Sequence, residues 1–180
     1  LDKRDFVLTD EKALQDIVSF SHENASVSIG IVFDLSGSMT NKIAKARSAV
    51  REFLRYIEVQ DEVLLVTFSD RAQQRTEFAS DDTAVLNELL FAQPNGSTAL
   101  FDAVAIAVRA MRKARDDRRV LLVVSDGEDN HSRFSERELR RVVEETEIQI
   151  HALGIHDRGP GMRDTGGPQI LEDLAKMTGG

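Results

Sequence analysis

Three features of the sequence predict an α/β fold with a doubly wound, mostly parallel sheet and helices on both faces. Two apolar stretches, residues 27–33 and 120–124, each run directly into a polar turn, as strands buried on both faces do. Amphipathic segments at helical spacing alternate with these and other strand-like runs. The length of 180 residues suits one domain that buries roughly 70% of its unfolded surface, without staples.

Residues 1–24 read as a lead-in to a main domain spanning 25–180. Phe6 and Leu8 alternate like a strand, whereas Leu14, Ile17 and Val18 also fit a helical turn. We expect a hairpin-like segment that packs on the sheet edge. After the first strand, Ile43, Ala46, Val50, Phe53, Leu54 and Ile57 recur at helical spacing and predict a helix over 42–56. A strand follows at 62–68. Residues 73–78 read as a short polar edge strand, antiparallel to its predecessor and joined to it by a turn at 69–71. Asp81 or Asp82 caps a short helix through Leu90, and Pro94-Asn95-Gly96 breaks the chain before a longer helix over 99–115. Leu100, Val104, Val108 and Met111 form its inner face.

The strand at 120–124 ends in Ser125-Asp126-Gly127-Glu128-Asp129-Asn130. Ser135 with Glu138 spells a capping box for a helix to Glu145. A strand at 148–155 and a helix at 169–177 closed by Gly179 complete the pattern, with 159–167 as a surface loop between them. Right-handed crossovers make this a Rossmann-like sheet.

The composition narrows function. Lys plus Arg number 23 against 31 Asp plus Glu, a formal net charge of −8, which argues against nucleic acid or anionic lipid as the main partner. The basic run Arg109, Arg112, Lys113, Arg115, Arg118 and Arg119 fits a helix C-terminus and its loop, where cations oppose the helix dipole. Cysteine is absent, which removes thiolate zinc sites and leaves the redox compartment unread. No segment approaches the roughly 18 apolar residues of a membrane helix, and no signal-peptide core opens the chain, so membrane insertion by this segment is not expected. A start at Leu1 and an end at Gly179-Gly180 read as a piece of a longer polypeptide.

The chemistry concentrates in Asp34-Leu35-Ser36-Gly37-Ser38, a D-x-S-x-S cluster on the turn where the first buried strand ends. Ligands of open α/β sheets bind at that edge. Gly37 is expected to let the backbone bend sharply enough for Ser36 and Ser38 to converge with Asp34. One carboxylate and two neutral oxygens suit a hard cation. Two more loops leave the same edge, Gly96-Ser97-Thr98 and Ser125-Asp126-Gly127. The order and content of these loops resemble the von Willebrand factor type A domain, and the likeness runs from Val27 to Gly179. Lacking cysteines to close the domain, the chain looks closer to bacterial members than to vertebrate adhesion domains.

The resemblance implies a metal-ion-dependent adhesion site in which Asp34, Ser36, Ser38, Thr98 and Asp126 surround one divalent cation, Mg²⁺ or else Mn²⁺ or Ca²⁺. Asp102, one helical turn after Thr98, reads either as a support for Thr98 or a bound water, or as a first-turn acid facing the helix dipole. Glu128, Asp129, Asn130 and His131 read either as residues ringing the metal or, as the favoured reading, as an acidic surface turn, and His22, His151 and His156 lack metal-ligand spacing. Two departures stand out. Family domains continue into a further strand and a terminal helix beyond this point, and Met39-Thr40-Asn41-Lys42 lacks the paired acids of a second adjacent metal site.

The function expected is a non-enzymatic, cation-dependent protein-binding module whose partner presents an Asp or Glu, with extracellular or periplasmic placement preferred. A Mg²⁺-dependent phosphoryl-transfer hydrolase of haloacid dehalogenase type is the alternative. That chemistry needs a second carboxylate two residues after the first, where this chain has Ser36. A structural interaction domain that binds no cation is a third reading.

Overall fold

The computed structural model describes residues 3–18, 25–155 and 167–180. After a 3₁₀ turn at Lys3–Asp5, β1 (Leu8–Asp10) pairs antiparallel with β2 (Ala13–Gln15). Glu11 and Lys12 between them both take positive φ, 45° and 70°, as a two-residue hairpin turn of matching twist requires. Both strands are exposed along their whole length, so among the described residues they do not pack on the edge of the main sheet as expected. Three pairs offer too little apolar surface to anchor it.

The main sheet has the order β5-β4-β3-β6-β7. β3 (Ser28–Asp34) is central, and β4 (Glu62–Phe68) and β6 (Arg119–Ser125) run parallel to it on either side. β5 (Ala72–Gln74) is the antiparallel edge strand, and β7 (Gln149–Gly154) lies parallel on the other edge. Every residue of β3 and β4 is buried, which explains their unbroken apolar character.

The helices are α1 (Ile43–Leu54), α2 (Thr83–Phe91), α3 (Leu100–Met111), α4 (Glu136–Glu144) and α5 (Gly167–Thr178). Ile29, Ile31 and Phe33 of β3 join Val50 and Leu54 of α1 and Val85 and Leu89 of α2 in one core. Val32, pointing the other way, joins Val104 and Val108 of α3, Leu139 of α4 and Leu171 of α5. Both faces are thus covered, as predicted. The β3–α1–β4 connection moves to one side of β3 and the chain later returns to β6 on the other, so the sheet's switch point lies between the carboxyl ends of β3 and β6.

Local differences from expectation have identifiable causes. β5 ends at Gln74 because the chain then bulges: Leu65 O accepts from Arg75 N–H at 2.7 Å, Leu65 N–H donates to the Thr76 hydroxyl at 2.8 Å, and pairing resumes only at Val63 and Ala79. α3 stops four residues early, as Arg112, Lys113 and Ala114 tighten onto carbonyls three residues back. α5 begins at Gly167, with Pro168 tolerated in its first turn. The Ser135–Glu138 capping box is present. The loop at 159–166, His22 and His156 lie outside the described residues.

Candidate metal centre

β3 delivers Asp34, fully buried, to the sheet's switch point. Its two carboxylate oxygens are held separately: Ser36 N–H donates to Oδ1 at 2.7 Å and the Ser125 hydroxyl to Oδ2 at 2.6 Å. Burial pushes the Asp34 carboxyl up, the hydrogen bonds from Ser125 and Ser36 oppose this, and the nearby charge of Asp126 adds to the rise. Ser36 is buried and Ser38 exposed, with their hydroxyl oxygens 3.0 Å apart.

The bend through Ser36 and Ser38 is a 3₁₀ turn, Gly37–Met39, and Gly37 makes it without a positive φ. Its requirement is proximity. Gly37 N–H donates to Gly96 O at 2.9 Å, and a Cβ there would stand 3.2 Å from that oxygen. Asn95 N–H to Leu35 O, 2.8 Å, adds a second tie between the first and second loops. The Ser97 N–H on Asp70 Oδ1, 2.7 Å, holds that carboxyl below its usual range and steadies the second loop.

The third loop follows β6. Asp126 is buried; the Lys42 ammonium holds its Oδ2 at 2.9 Å, while Oδ1 is buried with no partner among the described residues. Gly127 sits at φ +89°, and a Cβ on it would fall 2.0 Å from Gly167 O, so this loop lies directly on the start of α5. Farther on, Asn130 clamps Thr98. Its side-chain oxygen accepts the Thr98 N–H at 2.8 Å, and the N–H groups of Asn130 and His131 both reach Thr98 O at 3.0 Å. Asp129 Oδ1 accepts from Phe101 N–H and the Ser132 hydroxyl, capping α3.

Of the residues singled out from sequence, Asp34, Ser36, Ser38 and Asp126 converge at the carboxyl ends of β3 and β6, and Thr98 is buried in the adjoining turn. Asp102 does not reach Thr98. Its Oδ1 accepts from the Arg133 and Phe134 N–H groups, so it braces the 133–134 loop. Asp129 and Asn130 form a clamp and are more than a solvated turn. Ser125 and Asn130 were read as loop residues, without the hydrogen bonds to Asp34 and Thr98 that they make, and Lys42 was not singled out. Lys42 carried a signal of its own, since a lysine at a helix N-cap opposes the dipole.

The donor set fits a hard cation: two carboxylates, one with an orphaned buried oxygen, beside paired hydroxyls. Among the described residues no three His, Cys, Asp or Glu side chains gather, so any such site depends on the hydroxyls. A cleft of about 550 Å³, lined by Leu35, Ser69, Asp70, Arg71 and Phe91 among others, opens beside the first loop.

Comparison with known proteins agrees with this architecture. The structure is similar to BatB from Bacteroides thetaiotaomicron, a conserved hypothetical protein, at 22% identity over 86% of this chain and 87% of that one, TM-score 0.68. It is similar to an aerotolerance-related membrane protein from Bacteroides fragilis at 22% identity over 86% and 89%, TM-score 0.69. The pilus adhesin SpaC from Lactobacillus rhamnosus GG shares the fold at 15% identity, TM-score 0.69, with 85% of this chain matching 27% of the adhesin. Among curated proteins none matches. The family model for the von Willebrand factor type A domain matches residues 29–128. That region is more than half of the sequence and holds all three loops of the cluster, and the chain belongs to the von Willebrand factor type A domain family.

Proposed function

We propose that this domain is a non-enzymatic protein-binding module that works through one divalent cation, with Asp34, Ser36, Ser38, Thr98 and Asp126 as its holders. The observation that carries this reading is the Asp126 Oδ1, buried without a partner among the described residues, beside the Asp34 carboxylate and the Ser36–Ser38 hydroxyl pair. Leaving a buried carboxylate oxygen unpaired is costly, and a cation would remove that cost. A Mg²⁺, Mn²⁺ or Ca²⁺ held there would offer an electron-poor coordination position to an Asp or Glu carboxylate of a partner protein. The chain's own contribution is rigidity. Ser125 and Ser36 fix the Asp34 oxygens, Asn130 fixes Thr98, and backbone bonds tie the first loop to the second.

Extracellular or periplasmic placement belongs to the same proposal; two similar structures are a membrane protein and a pilus adhesin. Among the described residues no helix is long and apolar enough to cross a membrane. We also take residues 1–24 as a lead-in and 25–180 as the binding domain.

Calorimetry with Mg²⁺ and Mn²⁺ tests the reading. The parent chain should bind one ion and Asp34→Ala none, with the fold retained. Saturating Mg²⁺ should also raise the melting temperature, since about 100 times the dissociation constant contributes roughly 2.7 kcal/mol. No shift with any divalent ion would favour a structural domain without a cation. Capture of a partner that survives chelator unchanged would move the binding surface elsewhere.

A further inference from the structure

Lys42 is, among the described residues, the one charged group bonded to either carboxylate of the cluster. It reaches across 84 positions of sequence to Asp126 Oδ2 at 2.9 Å, with its side chain 12% exposed and that of Asp126 6%. Its position is otherwise unfavourable. Lys42 is the N-cap residue of α1, whose first turn has no acid, so the positive end of the helix dipole repels the ammonium. The Asp126 carboxylate offsets that repulsion. Because the ammonium takes Oδ2 only, Oδ1 stays available.

We propose that Lys42 sets the charge of this site, weakening its hold on the cation and strengthening the loaded site's preference for an anionic partner group. The inference rests on the metal-site reading above. Formal charges give its direction. Asp34, Asp126 and Lys42 sum to −1, so a divalent ion leaves +1, and a carboxylate brings the assembly to neutrality. Without Lys42 the two carboxylates alone neutralise the ion, and no net attraction for a carboxylate remains. One residue thereby moves two affinities in opposite directions, which loss of packing would not do.

The test compares the parent with Lys42→Gln and Lys42→Arg. Mn²⁺ affinity is measured by calorimetry, and acetate binding to the Mn²⁺-loaded proteins by proton relaxation of the acetate methyl group. Lys42→Gln should bind Mn²⁺ on the order of tenfold more tightly, as expected for removing a unit charge a few ångströms from a divalent ion under solvent screening. Its loaded form should bind acetate several-fold more weakly. Lys42→Arg, which keeps the charge, should match the parent in both. If Lys42→Gln melts below the assay temperature, Lys42→Met, of similar length, takes its place. A neutral variant that stays folded but binds Mn²⁺ no more tightly, or whose loaded form binds acetate as well as the parent, overturns the proposal alone. Failure of all the proteins to bind Mn²⁺ overturns the metal-site reading and this inference with it.

Discussion

Asn130→Ala separates positioning from bulk stability at this site. The Asn130 side chain is the acceptor for the Thr98 N–H at 2.8 Å, and Thr98 is 2% exposed, so truncation strands a buried donor. An unpaired buried N–H costs about 1–3 kcal/mol. Nothing else of consequence should be lost: Asn130 is exposed, so no cavity forms, and the two backbone bonds to Thr98 O remain. For a domain of this size that cost lowers the melting temperature by roughly 2–12 °C. Thr98 is also a proposed ligand, and loosening a residue that orients a ligand typically weakens metal binding by about 10–100-fold. Asn130→Asp keeps the acceptor and should stay close to the parent in melting temperature. Differential scanning calorimetry with a Mn²⁺ titration reads both effects. If Asn130→Ala leaves melting temperature and affinity unchanged, the clamp does not position Thr98 and the reasoning fails.

Two further outcomes are expected. Gly127→Ala should destabilise by at least about 1–2 kcal/mol from the left-handed conformation alone, and more because its Cβ would meet the Gly167 carbonyl; an unchanged thermal melt would disprove the contact between this loop and α5. Ser135→Ala should lower stability by about 1 kcal/mol at neutral pH through loss of the α4 cap. Ser135 also holds the Glu138 carboxyl below its usual range. A depressed folded-state pKa contributes stability present above the unfolded value, about 4.3, and lost as pH falls through the folded one. The parent–variant gap in urea midpoint should therefore shrink below about pH 4, and a gap independent of pH would count against the Glu138 half of the capping box.

The parts of the fold legible in the sequence were those whose cause is local. β3, β4 and β6 announce themselves because a strand covered on both faces has little room for polar residues, and α4 because its cap lies within four residues of sequence. The three loops are legible for a related reason: each is a strand end or helix entrance, marked by an abrupt change from apolar to hydroxyl or acid. Long-range side-chain partnerships were not legible. Asn130 reaches Thr98 across 32 positions and Lys42 reaches Asp126 across 84, and only the sheet order brings these loops together. Gly37 illustrates a subtler limit. The sequence marks it as permissive, yet its constraint is the approach of Gly96, which local chemistry cannot reveal.

The same geometry bears on the phosphoryl-transfer alternative. That chemistry would place a second acid at position 36, two residues after the first. Ser36 is fully buried, its N–H is committed to Asp34, and its hydroxyl lies 3.0 Å from that of Ser38. A carboxylate in that place would share the burial that already pushes Asp34 up, with Asp126 adding like charge nearby. The Lys42 ammonium is committed to Asp126 and could not also neutralise it. In the proposed metal site, hydroxyls would satisfy the same coordination directions without the repulsion, and would leave a charge balance for an incoming carboxylate, rather than a resident one, to complete. Under the proposed metal reading, an acid at position 36 would bring the loaded site to neutrality and leave no net attraction for another carboxylate, whereas serine would leave that place to the acid of the proposed partner.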